Sequence, residues 1–257
     1  MRQYQRAPLH IYRPIHLDPA LPDMAFVYLQ QQGDGLVQGD RYRVDVDCAA
    51  ESAVHLTTQA PTKVFAAVDN YATQLVNLRV GPGAVLEYLP DAVVPFRSSR
   101  LFQRTCVTVA DDATVILGEV LLPGRVARGE AHVYDLFWSE MEIRDSAGTP
   151  LTADTLRLRP DTLDPRSPGV LGGFDVLASF YVVCARPRSS DLVDLLRSAL
   201  AEAPEVLWGV SELPRGRGAS VRILGHASAS VQAAVHNVWE RVRLTVLGAP
   251  APDLRKG

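Results

Sequence analysis

Between about residue 24 and about residue 184 the chain is a succession of short β-forming segments with no helical pattern between them. MAFVYLQQQ, RYRVDVD, SAVHLTT, TKVFAAV, TQLVNLRV, AVLEYL, LFQRTCVTV, ATVILGEVLL, AHVYDLFWSEMEI, TLRLRP and FDVLASFYVVCA follow one another, broken by the turn-like QQGDG, DCAAES, VGPGA, ADDA, LPGR and DSAGT. In RYRVDVD, Tyr42, Val44 and Val46 share one face and Arg43, Asp45 and Asp47 the other, the period of a strand with one wet side. Strands recurring every ~8–14 residues point to an antiparallel sandwich, a barrel or a β-solenoid. A βαβ arrangement is excluded, because its helical crossovers are missing. No fixed-period sequence repeat is visible.

Helical signals come late. Ser189-Ser190-Asp191 offers a start for LVDLLRSALAEA, whose Leu192, Leu195, Leu196 and Leu200 fall on one stripe before Pro204. A second helix is expected from Ser228 or Ser230 through VQAAVHNVWERVRLTVL, with Val231, Val235, Val238 and Val242 as its apolar line, Trp239 beside it and Gly248 past its end. VLWGV and ASVRILG read as two strands between these helices, and LDPRSPGVLGG, residues 163–173, as a loop or hinge. The expected architecture over residues 1–257 is one mostly β domain, β-helix-like or of layered antiparallel β-sheets, with two α-helices in the C-terminal third.

Several functions are excluded by what is missing. Net charge is −3, from 26 basic and 29 acidic residues, so there is no general attraction to nucleic acid or an anionic membrane. No apolar run approaches the ~20 residues of a membrane helix. The N-terminal MRQYQRAPLHIYRP lacks a signal-peptide core, which points to the cytoplasm. There is no GxxxxGK[ST], GxSxG or HExxH, and GDGLVQG at 33–39 has Gln38 where a dinucleotide fingerprint needs glycine. Cys48, Cys106 and Cys184, far apart and odd in number, read as reduced, buried small hydrophobes.

The chemistry-bearing candidates lie in and around GEVLLPGRVARGE, residues 118–130. Glu119 sits in the apolar VILGEVLL, where an ionised carboxylate must be paired, hydrogen-bonded or open to a water-filled passage; Arg125 is its natural partner. Glu87, in AVLEYLP, is in the same situation. Glu130 and His132 would share a face if AHVYDLFW is extended from its start, giving either two ligands for a divalent transition metal or a local ion pair. Gly124 and Gly129 make the stretch turn-like, and Lys63 reads as a solvated lysine at a strand start. One reading of Glu119 and Glu130 is a carboxylate pair across a hairpin in a carbohydrate-active enzyme, although aromatic side chains for sugar stacking are sparse.

GLVQGDRYRVDVDCAAESAVHLTTQAPTKVF, GAVLEYLPDAVVPFRSS and EVLLPGRVARGE resemble the urease accessory protein family UreD, called UreH in some bacteria. The resemblance rests on Gly39-Asp40 leading a strand, Leu56–Gln59, Lys63–Phe65, Leu86–Pro90, and Glu119, Gly124-Arg125 and Gly129-Glu130 in order, with weaker matches at Ser211–Leu213, Arg222–Gly225 and Trp239–Arg243. The tail PDLRKG departs from the Pro-Arg-x-Trp ending of many relatives. The resemblance implies a non-catalytic scaffold in a hetero-oligomer with UreF, the GTPase UreG and apo-urease, a mostly β fold resembling a β-helix with two helices, and nickel as a transient cargo. In that setting Glu119, Glu130, His132, Asp40 and Glu87 are expected to line a hydrated nickel route, with Arg125, Lys63, Gly124 and Gly129 in structural or partner-facing roles. Few oxygen ligands suit transfer, since a full His/Cys site would hold Ni²⁺ too tightly to release it.

Overall fold

The structure, a computed structural model, describes residues 2–203 and 205–254. Pro204 and the last three residues of the tail therefore lie outside the described residues. The β-rich segments wind into coils that alternate between two sheets. β1 (Leu9–Ile11) and β2 (Ala25–Gln31) begin the first sheet, β3 (Arg41–Cys48) the second, and β4 (Ala53–Thr58) returns to the first. After the short β5 (Thr62–Val64), β6 (Ala72–Val80) joins the second sheet and β7 (Val85–Tyr88) the first. After β8 (Val93–Pro95), β9 (Arg100–Val109) and β10 (Thr114–Leu121) repeat the step, and β11 (Leu136–Asp145) completes it. β2, β4, β7 and β10 are thus parallel neighbours, as are β3, β6, β9 and β11.

Parallel strands need a long return connection, usually a helix. Here each return runs through a strand of the opposite sheet, which is why no helix is needed. Phe26, His55, Glu87 and Ile116 stand side by side across the first sheet, at sequence steps of 29, 32 and 29 residues. Unequal steps and the extra β5 and β8 explain why the repeat is invisible as a fixed period.

The solenoid form of the expected architecture describes β2 to β11; the antiparallel form describes the strands after β11. β12 (Pro150–Leu158) folds back on β11, and β13 (Val176–Val183) pairs antiparallel with β10. The segment expected as a loop, 163–173, is the irregular connection between β12 and β13. β14 (Val206–Glu212) and β15 (Gly218–Gly225) extend the first sheet, with β15 next to β13.

α1 (Ser189–Ala201) and α2 (Ser228–Val246) cover the outer face of that extension. Leu192, Leu196 and Leu200 meet Val231, Val238, Val242 and Trp239 over Ile116, Phe180, Val221 and Ile223. Ser189 does not cap its helix; its hydroxyl accepts the Gly218 N–H at 2.8 Å instead. A second core fills the space between the two sheets, with Leu56, Val76, Leu78, Leu86, Val107, Leu117 and Ile143. The outer face of the second sheet stays wet and carries ion pairs, Arg43 with Asp45, Arg79 with Asp47, and Arg104 with Glu140 and Glu142. Cys48 and Cys184 are buried and all three cysteines are free, but Cys106, on this outer face, is only half-buried.

Candidate functional site: a polar cavity between the sheets

In a strand that faces a core, every second residue should be apolar. Along β6 the inward positions are Gln74, Val76, Leu78 and Val80; along β9, Leu101, Gln103, Thr105, Val107 and Val109; along β11, Phe137, Ser139, Met141 and Ile143. The polar exceptions are aligned by the register. Tyr42, Gln74, Gln103 and Ser139 stand side by side across β3, β6, β9 and β11. Across the first sheet a second polar row, Glu119, Ser179 and Arg222, crosses β10, β13 and β15. The two rows line a small cavity between the sheets, about 40 Å³ of it open to the centre of a water molecule, completed by Tyr88, Thr105 and Asp154.

Glu119 is the centre of its hydrogen bonding. Gln103 Nε2 donates to Glu119 Oε1 (3.2 Å) and to Ser139 Oγ (3.0 Å), and Ser139 Oγ donates to Glu119 Oε2 (3.3 Å). No cation pairs with Glu119 among the described ion pairs, and part of its surface remains accessible, toward the cavity. Burial raises its pKa from 4.5 to about 7; the Ser139 hydrogen bond pulls down, Asp154 pushes up, and Arg222 and Gln103 pull down. A carboxyl with its folded-state pKa raised keeps its full share of stability below the unfolded value and loses it as pH climbs through the folded one. Glu119→Gln should therefore change stability little at pH 5 and raise it by at most about 3 kcal/mol at pH 8, measured by urea unfolding at both pH values. A variant with the same effect at both would contradict the placement of Glu119.

At one edge of this cavity Asp154 of β12 accepts from the Tyr181 hydroxyl (2.5 Å) and pairs with Arg222 of β15. At another, Thr62 and Gln74 line both this cavity and a second one, about 130 Å³ of it open to the centre of a water molecule, whose wall includes Gln31, Asp34, Tyr42, Gln59 and Lys63. Gln31 donates to the Tyr42 hydroxyl there at 2.9 Å. The polar row of the second sheet thus runs from one cavity into the other.

The remaining candidates are dispersed. Arg125 does not pair with Glu119. It grips Glu130 through two hydrogen bonds (2.8 and 2.6 Å) and stacks over Phe96 at 4.0 Å. That contact, with the Arg97 N–H, holds the Glu130 carboxyl below its ordinary range. Glu130 and His132 do not share a strand face either, because β11 begins only at Leu136 and His132 has φ +55°. His132 instead meets Asp175 (3.2 Å) and the Tyr134 hydroxyl (3.4 Å), and burial lowers its pKa.

Glu87 lies on the far face of the first sheet, sealed under α2 against Arg243, His55 and Trp239. Leu86 and Tyr88, its neighbours on β7, point to the space between the sheets. Asp40 closes a turn by accepting the Val37 N–H at 2.9 Å. Of the residues expected along the route, then, Glu119 lines the first cavity while Glu87, Glu130, His132 and Asp40 line neither; Lys63, expected in a structural or partner-facing role, lines the second. A carboxylate pair of Glu119 and Glu130 in one cleft is ruled out by the same placement. Gly124 is required where it is, since at φ +135° a Cβ would lie 2.5 Å from the Glu130 carbonyl oxygen and 3.0 Å from that of Pro95. Gly129, at φ +70°, closes the turn that presents Glu130.

Among the described residues no three His, Cys, Asp or Glu side chains gather as a metal site, and no helix is long and apolar enough to cross a membrane. Gln74, Gln103, Ser139, Asp154 and Ser179 were not singled out from the sequence, and Arg222 entered only as the start of a weak motif match. The available signal was a polar residue in the inward phase of an otherwise apolar strand, legible in TQLVNLRV, LFQRTCVTV and LFWSEMEI.

Residues 1–256 match the family described as UreD urease accessory protein. A Streptomyces griseus protein named urease accessory protein UreD 2 is 45% identical over 261 residues, covering 100% of this chain and 88% of that protein. The urease accessory protein UreD of Haloarcula marismortui is 35% identical, covering 100% and 85%, and that of Cenarchaeum symbiosum 34%, covering 99% and 90%.

Proposed function

The chain belongs to the UreD urease accessory protein family, and from that premise we propose that it is a non-catalytic, cytoplasmic scaffold that joins apo-urease to UreF and the GTPase UreG and passes nickel through the cavity between its two sheets. Its general place is in urease maturation; the route and the partners are the proposal. The observation that carries it is Glu119, a carboxylate without a paired cation among the described residues, held by Gln103 and Ser139 at the wall of a polar cavity that shares Thr62 and Gln74 with the wall of a second one.

The chemistry suits a moving cargo. A hydrated Ni²⁺ meeting one carboxylate, an amide oxygen and hydroxyls gains enough to replace part of its water shell but not enough to stay. With a pKa near 7, Glu119 also alternates between charged and neutral near physiological pH, so its hold on a cation is adjustable. Keeping this acid costs stability near neutral pH, where an uncharged side chain would avoid the buried charge; a retained cost of that kind is expected where a charge has a task.

Coexpression of urease with its accessory proteins tests the reading. Glu119→Gln should lower urease activation about tenfold or more while the complex still assembles, whereas Glu130→Gln should act through stability of the Gly124–Val133 loop. Full activation with Glu119→Gln would remove the route; lost assembly with Glu119→Gln would favour a purely bridging role.

A further inference from the structure

We propose that Arg222 is the gate of this cavity: paired with Asp154 it closes one mouth, and a divalent cation crosses that mouth only by taking over the carboxylate the guanidinium holds. The inference rests on the nickel-route reading and adds the element that controls it.

Three placements carry it. First, Arg222 belongs to the inward row with Glu119 and Ser179 and lines the cavity, yet 43% of its side chain is exposed. A side chain that both walls an interior and reaches solvent stands at an opening. Second, its partner Asp154 comes from β12 of the other sheet and is 24% exposed. Beside the Tyr181–Asp154 hydrogen bond, this pair joins β15 of the first sheet to β12 of the second at the cavity wall, so the ion pair is a latch between the two sheets. Third, Asp154 does not depend on Arg222 for its orientation, because the Tyr181 hydroxyl donates to it at 2.5 Å. If the guanidinium swings outward, the carboxylate remains aimed.

The exchange is favourable in kind. The pair is partly exposed to water, which weakens its attraction, so opening costs little. The long arginine stem lets the head move into water without dragging the backbone. The departing cation and the arriving one satisfy the same carboxylate, so Asp154 is never left buried and uncompensated. While closed, Arg222 opposes cation entry by repulsion and pulls down the proton affinity that burial raises at Glu119.

The test uses the purified full-length chain, loaded with Ni²⁺ alone, with release followed by a chromogenic chelator. Arg222→Met should release nickel about tenfold faster than the unaltered chain, the size of one unit charge interaction at this range. Arg222→Lys, which keeps the charge and most of the length, should restore slow release. Should Arg222→Met unfold, Arg222→Gln serves as the neutral variant. Equal release rates for the unaltered chain and the neutral variants, with reduced loading in Glu119→Gln, would remove the gate and leave the route intact. Undiminished loading in Glu119→Gln would remove the route itself. A fall in unfolding midpoint with no change in release would make the Arg222–Asp154 pair a structural latch and overturn the proposal.

Discussion

Arg243→Met should cost about 3–5 kcal/mol of stability, the penalty for stranding buried carboxylates without their cation. Arg243 projects from α2 and is fully buried. Its Nη1 donates to both oxygens of Glu87 (3.0 and 2.9 Å), its Nη2 pairs with Asp18, and its Nε donates to the Pro250 carbonyl (3.0 Å). Glu87 is held further by the His55 ring at 2.6 Å and by the Trp239 indole N–H at 3.2 Å. One guanidinium therefore ties together the segment before β2, two coils of the solenoid, the last helix and the chain beyond it. Without it two acids remain in a site where, among the described residues, no other arginine or lysine pairs with them. Urea unfolding of Asp18→Asn/Glu87→Gln/Arg243→Met should recover most of the loss, because the triple variant buries no net charge. A single variant that loses less than about 1 kcal/mol would mean the cluster is open to water.

This cluster also shows what the sequence carries and what it hides. The alternation in RYRVDVD and the turn signals locate nearly every strand, because strand period and turn chemistry are local properties. Which sheet each strand joins is not local. Parallel coils are set by pairings some thirty residues apart, such as His55 beside Glu87, and nothing in AVLEYLP tells which face Glu87 takes. Glu119 and Glu87 look alike in sequence, each a lone acid in an apolar strand, yet they face opposite sides of one sheet, one toward a polar cavity and the other under a helix against Arg243. Likewise AHVYDLFW reads as strand from its first residue by composition. The loop from Gly124 to Asp135 overrides that preference, with Arg125 drawn to Glu130 and His132 to Asp175. The family resemblance named the right motifs, but several of them build this loop rather than line the cavity.

The nickel route makes a demand on space as well as on charge. Ser179 faces Glu119 across the β10–β13 pairing and lines the cavity. Ser179→Phe puts a ring into the space between the polar rows, where the opposite wall offers Gln103, Thr105 and Met141. Overfilling a packed core costs about 1–3 kcal/mol, and with only about 40 Å³ of the cavity open to the centre of a water molecule the ring fills it. Ser179→Ala removes the same hydroxyl and leaves the space open, so the pair separates occlusion from lost polarity. With the partners coexpressed, both variants should assemble, because the altered side chain lies inside the chain.

The measurement that bears most directly on the cavity as the path of nickel is the nickel content per active site of urease matured with each of these two variants. The path predicts urease loaded normally with Ser179→Ala and left near the level of cells lacking this chain with Ser179→Phe. Urease filled equally by both would contradict it.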